Sequence, residues 1–490
     1  MKNIIAIDVG NGFCKAAILT DTAADPIDLI PAMRMGMQSV AYVEPNGKIS
    51  VNPKKIPLPC DTVRDVKTHL GKGQLQLNAG GTAFTVDPGK VYGAVAGEVV
   101  RLANETLRQL GKEPSYQVVV TYPSEFIDTP KPGIMKHNIE QQVLDGHPLE
   151  VVAMLPEPVA AAVDTLYYEQ NIKTEAPQKG AYNIAIYDLG HGTLDLAVVS
   201  STGDPAKPFD VVCQSFPILV DVCGRVFDEK LYARLVRQLS EAAPFQPSAR
   251  DYQELRFKHT VDMKHELSVN EMTYKNFIPE GSEDFSELSM SRKEFEEMIR
   301  PDIRRTLESV AQLLQDAQRK TVSVQEIVLT GGASCVPLIR EMLQQTFGNT
   351  GIQIRSFRPT HAVVNGAARY AQQLVVQQHA EYAYGLYMDH DDKVHMMLQA
   401  DDVLTATSKP LEIHSNSGVM NLRICRAKDR HNTKKTVAYK ACDNVRWFPF
   451  DYGRAGNFQI TLSIDADRRV TIRCTGEDGQ TVTQSTFDQV

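Results

Sequence analysis

Hydrophobic positions along the chain follow two rhythms. Up to about residue 378, short unbroken apolar runs alternate with stretches of 3.6-residue period, the pattern of buried strands followed by amphipathic helices. Beyond that point apolar and polar residues alternate, as in Phe458, Ile460, Leu462 and Ile464, then Val470, Ile472 and Cys474, around a turn at 465–467. With a further strand at 419–425, this predicts a separate β-rich C-terminal domain.

One pattern occurs twice. Residues 184–199, IAIYDLGHGTLDLAVV, read as a buried strand, a Gly-His-Gly turn and a second strand. Near the start the chain reads IAIDVGNGFCKAAIL, and Asp8, Gly10 and Gly12 stand 180 residues before Asp188, Gly190 and Gly192. Two such hairpins, each opening its own α/β segment, predict a duplicated fold whose two lobes face each other across a cleft.

Between and after the hairpins the signals are local. Residues 39–43 and 48–51 read as strands around Pro45-Asn46-Gly47, and 92–110 as a helix closed by Gly111. Residues 117–122 form a buried strand ended by Pro123, and Pro156-Glu157-Pro158 leads into a small-residue helix suited to close packing. Cys223-Gly224 precedes an amphipathic helix carrying Phe227, Leu231, Leu235 and Leu239. Ser291 and Glu294 have capping-box spacing, and Pro301 is expected to break or kink the helix they open. Residues 326–330, Gly331-Gly332 and 337–347 read as strand, glycine turn and helix, with Gly348 at the C′ position.

Composition narrows the class. At 490 residues the chain has room for two to four domains, and its net charge of −8 argues against a general nucleic-acid binder, which needs a basic face. No apolar run reaches membrane-helix length, and the first residues enter a strand rather than a signal peptide, so no membrane partner is expected. The eight cysteines lack C-x-x-C spacing, which suits reduced thiols and a cytoplasmic protein.

The chemistry gathers at the glycine turns. Glycines there let backbone N–H groups press against an anion, while Asp8 and Asp188 at the strand ends suit a divalent cation and Thr193 adds a hydroxyl. Two facing copies point to a polyphosphate, hence a nucleotide site. Read alone, Lys67 is a solvated charge and Glu157 a helix-starting acid favoured by the macrodipole. The Gly331-Gly332 pair leaves room for a flat ring against the backbone.

YDLGHGTLDLAVV, PEPVAAAV, VVVTYPSEF, LTGGASCVPLIREML and AVVNGAARYA stand in the order found in the DnaK-type 70-kDa heat-shock chaperone family, which the chain resembles. The segment NFQITLSIDADRRVTIRCTGEDGQ is similar to the end of that family's substrate-binding β-sandwich. The resemblance implies an actin-like ATPase fold of two lobes, residues 1–380, followed by a β-sandwich, residues 381–490. Its implied ligands are ATP or ADP with Mg²⁺, and K⁺ as a further cation. Asp8 and Asp188 match the aspartates that hold magnesium largely through water, which fits an ion that keeps its waters. Lys67 and Glu157 match the pair that positions the attacking water, and Thr193 the γ-phosphate-side threonine. Gly10, Asn11, Gly12, Phe13, Gly190, His191 and Gly192 fall in the phosphate turns. Gly224, Lys264, His265, Ser268, Gly331, Gly332, Ala333 and Cys335 fall around the nucleoside. Pro123 resembles a proline that relays nucleotide state, with Lys131 in place of its usual arginine partner.

The chain also departs from that pattern. His191 replaces a glycine beside the phosphates, and Asn11-Gly12-Phe13 replaces Thr-Thr-Tyr, removing hydroxyls used for phosphate and potassium. Val261 stands for a ribose-binding glutamate, His265 and Cys335 for adenine-stacking arginines, and Thr360 for an aspartate. Lost stacking and charge-assisted bonds of about 1–3 kcal/mol each imply weaker, micromolar nucleotide binding. The family's acidic-leucine linker is replaced by Leu374-Val375-Val376 and Gln377-Gln378-His379-Ala380, and no helical lid follows the β-domain before Val490. Ala153, Pro156 and Val159 stand where J-domain co-chaperones dock on polar or basic residues, which speaks against that partner.

The reading that follows is a lidless DnaK-like, Mg²⁺-dependent ATPase whose nucleotide state biases a β-domain toward unfolded peptide or a dedicated protein partner. A nucleotide exchange factor is a further implied partner, and Leu386, Met388 and Met420 are the candidate peptide-facing residues. Two alternatives remain open: a nonhydrolysing, nucleotide-gated binding module, and an actin-like filament-forming ATPase.

Overall fold

Both Asp-glycine stretches fold as antiparallel hairpins in the computed structural model. It describes residues 4–20, 23, 25–33, 35–171, 182–201, 211–215, 221–371, 376–378, 382–388, 391–400, 402, 406–429, 432, 434–465 and 469–487. Leu374, Val375, His379 and Ala380 of the expected linker, and Ala466 and Asp467 of the C-terminal turn, lie outside those residues.

In the first hairpin, Ile5–Val9 pairs with Phe13–Ile18 so that Asp8 faces Lys15. In the second, Tyr182–Leu189 pairs with Leu194–Ser201 so that Asp188 faces Asp195. Each leading strand then adds two parallel neighbours. Ile5–Val9 is followed by Gln117–Tyr122 and Glu150–Pro156, and Tyr182–Leu189 by Glu326–Thr330 and Gln353–Ser356. The same four-strand order is thus built twice. These strands read as near-continuous apolar runs because both faces are covered: every position of Leu194–Ser201 is buried.

Helices pack on these sheets, and their ends follow local chemistry. Pro88–Gln109 starts earlier than its periodicity suggests, because Asp87 caps it by accepting from Gly89 N at 2.7 Å and Pro88 takes the first helical position. Gly111 follows in the left-handed region, φ 67°. Arg292–Arg319 is one continuous helix of 28 residues despite Pro301, contrary to the expected break. Pro301 is exposed, while Phe295, Ile299, Ile303, Val310 and Leu313 form an unbroken buried stripe. Burying these side chains, at about 1.5–3 kcal/mol each, outweighs the roughly 3 kcal/mol that an internal proline costs. Gly348 is not the left-handed exit expected of it: its φ is −60°, a short 3₁₀ turn follows at Gly348–Thr350, and Gly351 at φ 84° makes the turn.

Glu157–Asn171 and Ala362–Ala371 meet through small residues. A Cβ on Gly366 would lie 1.7 Å from the Ala160 carbonyl oxygen, so the crossing tolerates no side chain there.

The chain divides into two compact units: residues 1–125, 135–209 and 215–374, and residues 126–134, 210–214 and 375–490. The second contains a five-stranded antiparallel sheet, Thr436–Ala438, Lys393–Leu398, Tyr384–Met388, Val419–Ala427 and Cys442–Asp451 in spatial order. A four-stranded sheet, Leu411–Ser415, Gly456–Ile464, Val470–Gly476 and Thr481–Phe487, supplies the other half of its core. Phe458, Ile460, Leu462 and Ile464 are all buried in that core, as their alternation requires. Leu386 is wholly buried there too and offers no surface to a peptide in this conformation; Met420 packs partly against the core, and Met388 is half-buried at its strand end. Opposite Arg423, whose guanidinium lies 4.2 Å from its ring, Trp447 stays half-exposed.

Candidate functional site

The two glycine turns open onto one cleft in the first unit, with about 1300 Å³ of empty space including its open mouth. Asp8, Gly10, Asn11, Gly12 and Phe13 line it from the first hairpin, and Asp188, Gly190, His191, Gly192 and Thr193 from the second. Lys67, Pro123 and Glu157 line it as well, as do Lys264, His265, Gly331, Gly332 and Ala333.

Lys67 is placed by a short helix, Val66–His69, and is 2% exposed. Its Nζ lies 2.7 Å from Glu157 Oε1 and 4.0 Å from Asp8 Oδ1. Burial works against the ammonium, but Glu157 and Asp8 more than offset it and hold the pKa above the ordinary lysine value. Glu157 opens its helix at the end of the strand Glu150–Pro156, which aims its carboxylate at the Lys67 ammonium. Lys67 is therefore an anchored cation inside the cleft, and the solvated reading of its surroundings does not hold.

The carboxylates form the second feature. Asp8 accepts from Thr121 Oγ1 at 3.0 Å. Asp188 is nearly buried, and burial with the neighbouring Asp195 and Asp8 charges pushes it up to about 8. Asp195, 1% exposed, accepts from both N and Oγ of Ser124 at 2.5 Å, and burial also raises its pKa. This excess of buried negative charge fits a divalent cation. Asp8 and Asp188 end the two leading strands beside the cleft, and among the described residues no three acidic, His or Cys groups converge on a metal-ligating cluster.

Gly331 explains the tight base of the cleft. Its φ is 83°, and a Cβ would fall 2.3 Å from the Leu189 carbonyl oxygen and 2.4 Å from Asp188 Oδ1. His265 lies 6.3 Å from the Phe13 ring, and burial together with the neighbouring Lys264 lowers its pKa. Lys264 is buried, with Nζ 2.7 Å from Asp228 Oδ1.

Other expected residues stand back from the cavity. The Ser268 hydroxyl turns to the Lys264 carbonyl at 3.1 Å, Cys335 ends the Gly332–Cys335 turn, and Gly224 donates its N–H to Gly190 O at 2.9 Å. Lys131 belongs to the second unit and stacks over the Phe126 ring at 4.3 Å.

Sequence reasoning missed Asp195 and Lys15, although both follow their hairpin's aspartate by seven residues, a repeat that the duplication contained. Lys15 lines the cleft, and burial lowers its pKa although Asp8 and Asp188 oppose the shift. Arg64, Asp65, Asp228 and Phe257 were missed too. They come together only through folding, and no local motif marks them.

A protein-family model described as "Hsp70 protein" matches residues 4–383.

Proposed function

The chain belongs to the Hsp70 family, and on that premise we propose that it is an Mg²⁺-dependent ATPase of slow turnover whose nucleotide state biases binding by its β-sandwich. Family membership makes it a nucleotide-binding, chaperone-type protein, since members generally bind ATP or ADP with Mg²⁺, act as ATPases and bind unfolded peptides. The observation that carries the finer reading is Lys67, buried in the cleft and 2.7 Å from Glu157. Phosphoryl transfer depends mainly on positioning and charge stabilisation, and this pair supplies a fixed cation and a fixed acceptor for orienting water. Mg²⁺, when bound, neutralises charge on the phosphates. Asp8 and Asp188 are the residues that would hold it, the amides of Gly10, Gly12, Gly190 and Gly192 would cradle phosphate, and the Thr193 hydroxyl would serve its γ end.

A nonhydrolysing, nucleotide-gated module is the second reading. It is favoured by the nucleoside end, where Ser268 and Cys335 do not line the cavity and His265 takes the place of an arginine. ATP affinity is accordingly micromolar, roughly −8 kcal/mol. Calorimetric titration tests this, and nanomolar binding would overturn it.

Single-turnover ATP hydrolysis by the full chain, with Lys67→Ala as comparison, tests the leading reading. Turnover that Lys67→Ala reduces by about a hundredfold or more is expected, a loss typical of a positioned group that acts in the transition state. ATP binding without turnover would leave the binding module. Stimulation of turnover by unfolded peptide is the measurement for communication with the β-sandwich.

A further inference from the structure

The side chain at the tip of the second glycine turn does not point into solvent. His191 Nδ1 lies 3.6 Å from Asp228 Oδ2, and Nε2 lies 3.5 Å from Asp65 Oδ1. Its backbone is fixed to the same helix as Asp228, because Arg225 N donates to the His191 carbonyl at 2.8 Å. Asp228 is wholly buried and is held in turn by Lys264 at 2.7 Å and Arg256 at 3.8 Å. One end of the imidazole is thus anchored in its own lobe.

The other end crosses the cleft. Asp65 belongs to the N-terminal half, at the corner between the strand Asp61–Arg64 and the helix that carries Lys67. Its backbone is left-handed, φ 51°, a conformation that aspartate tolerates better than most residues. Its neighbour Arg64 makes a second crossing, with the guanidinium 4.1 Å from the Phe257 ring. The hairpin tips also touch: a Cβ on Gly12 would sit 3.0 Å from His191 Cβ, and one on Gly192 only 2.0 Å from Asn11 Nδ2. Asp65, His191, Arg64 and Phe257 all line the cavity that the nucleotide reading fills.

We propose that His191 is a bar across this cleft, anchored by Asp228 and latched by Asp65, so that nucleotide enters and leaves only when the Asp65–His191 contact opens. The proposal rests on the nucleotide reading of the cleft. A bar differs from a ligand contact in its kinetics. Removing a contact speeds dissociation and weakens affinity, whereas removing a bar speeds entry and exit together. Asp65 makes no side-chain cap to the helix that carries Lys67, so Asp65→Asn opens the latch without uncapping that helix.

The test is stopped-flow binding and release of MgADP bearing a fluorescent ribose label, on the full chain and on His191→Gly, Asp65→Asn and the double variant. Each single variant is expected to raise both rate constants about fivefold or more, with Kd changed less than about threefold in the Asp65 variant, whose residue lies outside the phosphate turns, and the double variant to be no faster than the faster single one. Unchanged rates, faster dissociation with proportionally weaker Kd, or multiplicative effects in the double variant would each overturn the bar. His191→Gln, which can still reach across, should restore part of the slow exchange. If calorimetry shows that the wild-type chain binds neither MgADP nor MgATP, the nucleotide reading falls by itself. The latch is then judged in the ligand-free chain by chemical unfolding of the same four proteins, where coupling between positions 65 and 191 supports it and additivity overturns it.

Discussion

Asp188 stands directly opposite Asp195 across the second hairpin, at the register where the first hairpin sets Asp8 opposite Lys15. The duplicated turn therefore carries a like-charged pair in one copy and an opposite-charged pair in the other. Two adjacent buried carboxylates destabilise a chain that holds no cation between them. Asp188→Asn should accordingly raise the melting temperature in EDTA by roughly 1–3 °C, on the order of 1 kcal/mol, and abolish most of the added stability that Mg²⁺ and ADP confer. Thermal melts with EDTA and with MgADP check both parts. A melting temperature lowered in EDTA would show that the carboxylate is structural.

Lys15 yields a separate expectation. Burial lowers its pKa against the pull of Asp8, Asp188 and Asp28, and it forms no close ion pair among the described residues, so its ammonium is left to meet an anion in the cleft that it lines. Lys15→Met should weaken ADP binding about tenfold, or 1.4 kcal/mol, without lowering the melting temperature of the ligand-free chain. Calorimetry and melts on the same samples separate the two effects.

The crossing of Glu157–Asn171 with Ala362–Ala371 predicts a steric failure. Gly366→Ala places a methyl 1.7 Å from the Ala160 carbonyl oxygen, and both partners are helix backbone that cannot step aside. A loss of about 1–3 kcal/mol is expected from overpacking, read as a fall in the chemical-unfolding midpoint. Because Glu157 opens one of these helices, hydrolysis should fall as well. An unchanged midpoint would mean that the helices slide apart freely.

Asp25 supplies the pH dependence. It accepts from Arg358 at 2.8 and 3.2 Å and from Arg369 at 2.5 Å, and the Arg358 hydrogen bonds, against a smaller effect of burial, hold its carboxyl below the ordinary value of 3.8. A carboxyl depressed on folding adds stability that is complete above the unfolded pKa and is lost as pH falls through the lower folded one. Asp25→Asn should therefore lower the melting temperature at pH 7, and the gap should begin to narrow near pH 3.8 and close once the pH is below the depressed folded value. Asp25 is 42% exposed, so screening limits the effect to about 1 kcal/mol or less. A gap that does not narrow between about pH 5 and pH 2 would assign the loss to packing.

What the sequence revealed was what lies close along the chain. The strand–turn–strand of residues 184–199, its copy around Asp8, and the alternation from Phe458 to Cys474 all reappear as hairpins and sheet strands, because period-2 and unbroken apolar patterns are set by local burial. Pro301 was misjudged because a local cost was weighed without the buried stripe that overrides it. Lys67 read as solvated because the 90 residues separating it from Glu157 hide the pairing. His191, Asp65 and Asp228 were illegible as a group for the same reason: three loops or helices of different lobes bring them together, and none carries a local signature of the others.

Trp447 gives the intact protein an optical property. It is the single tryptophan of the chain, half-exposed in the second unit with the Arg423 guanidinium over its ring. Selectively excited indole emission from the unlabelled, unmutated chain is therefore a signal from one residue of the β-sandwich. The nucleotide cleft is lined by residues of the other unit. Any change in the wavelength or quenching of that emission on adding MgATP, once light absorbed by the nucleotide is corrected for, is a message carried from one unit to the other, legible without a label.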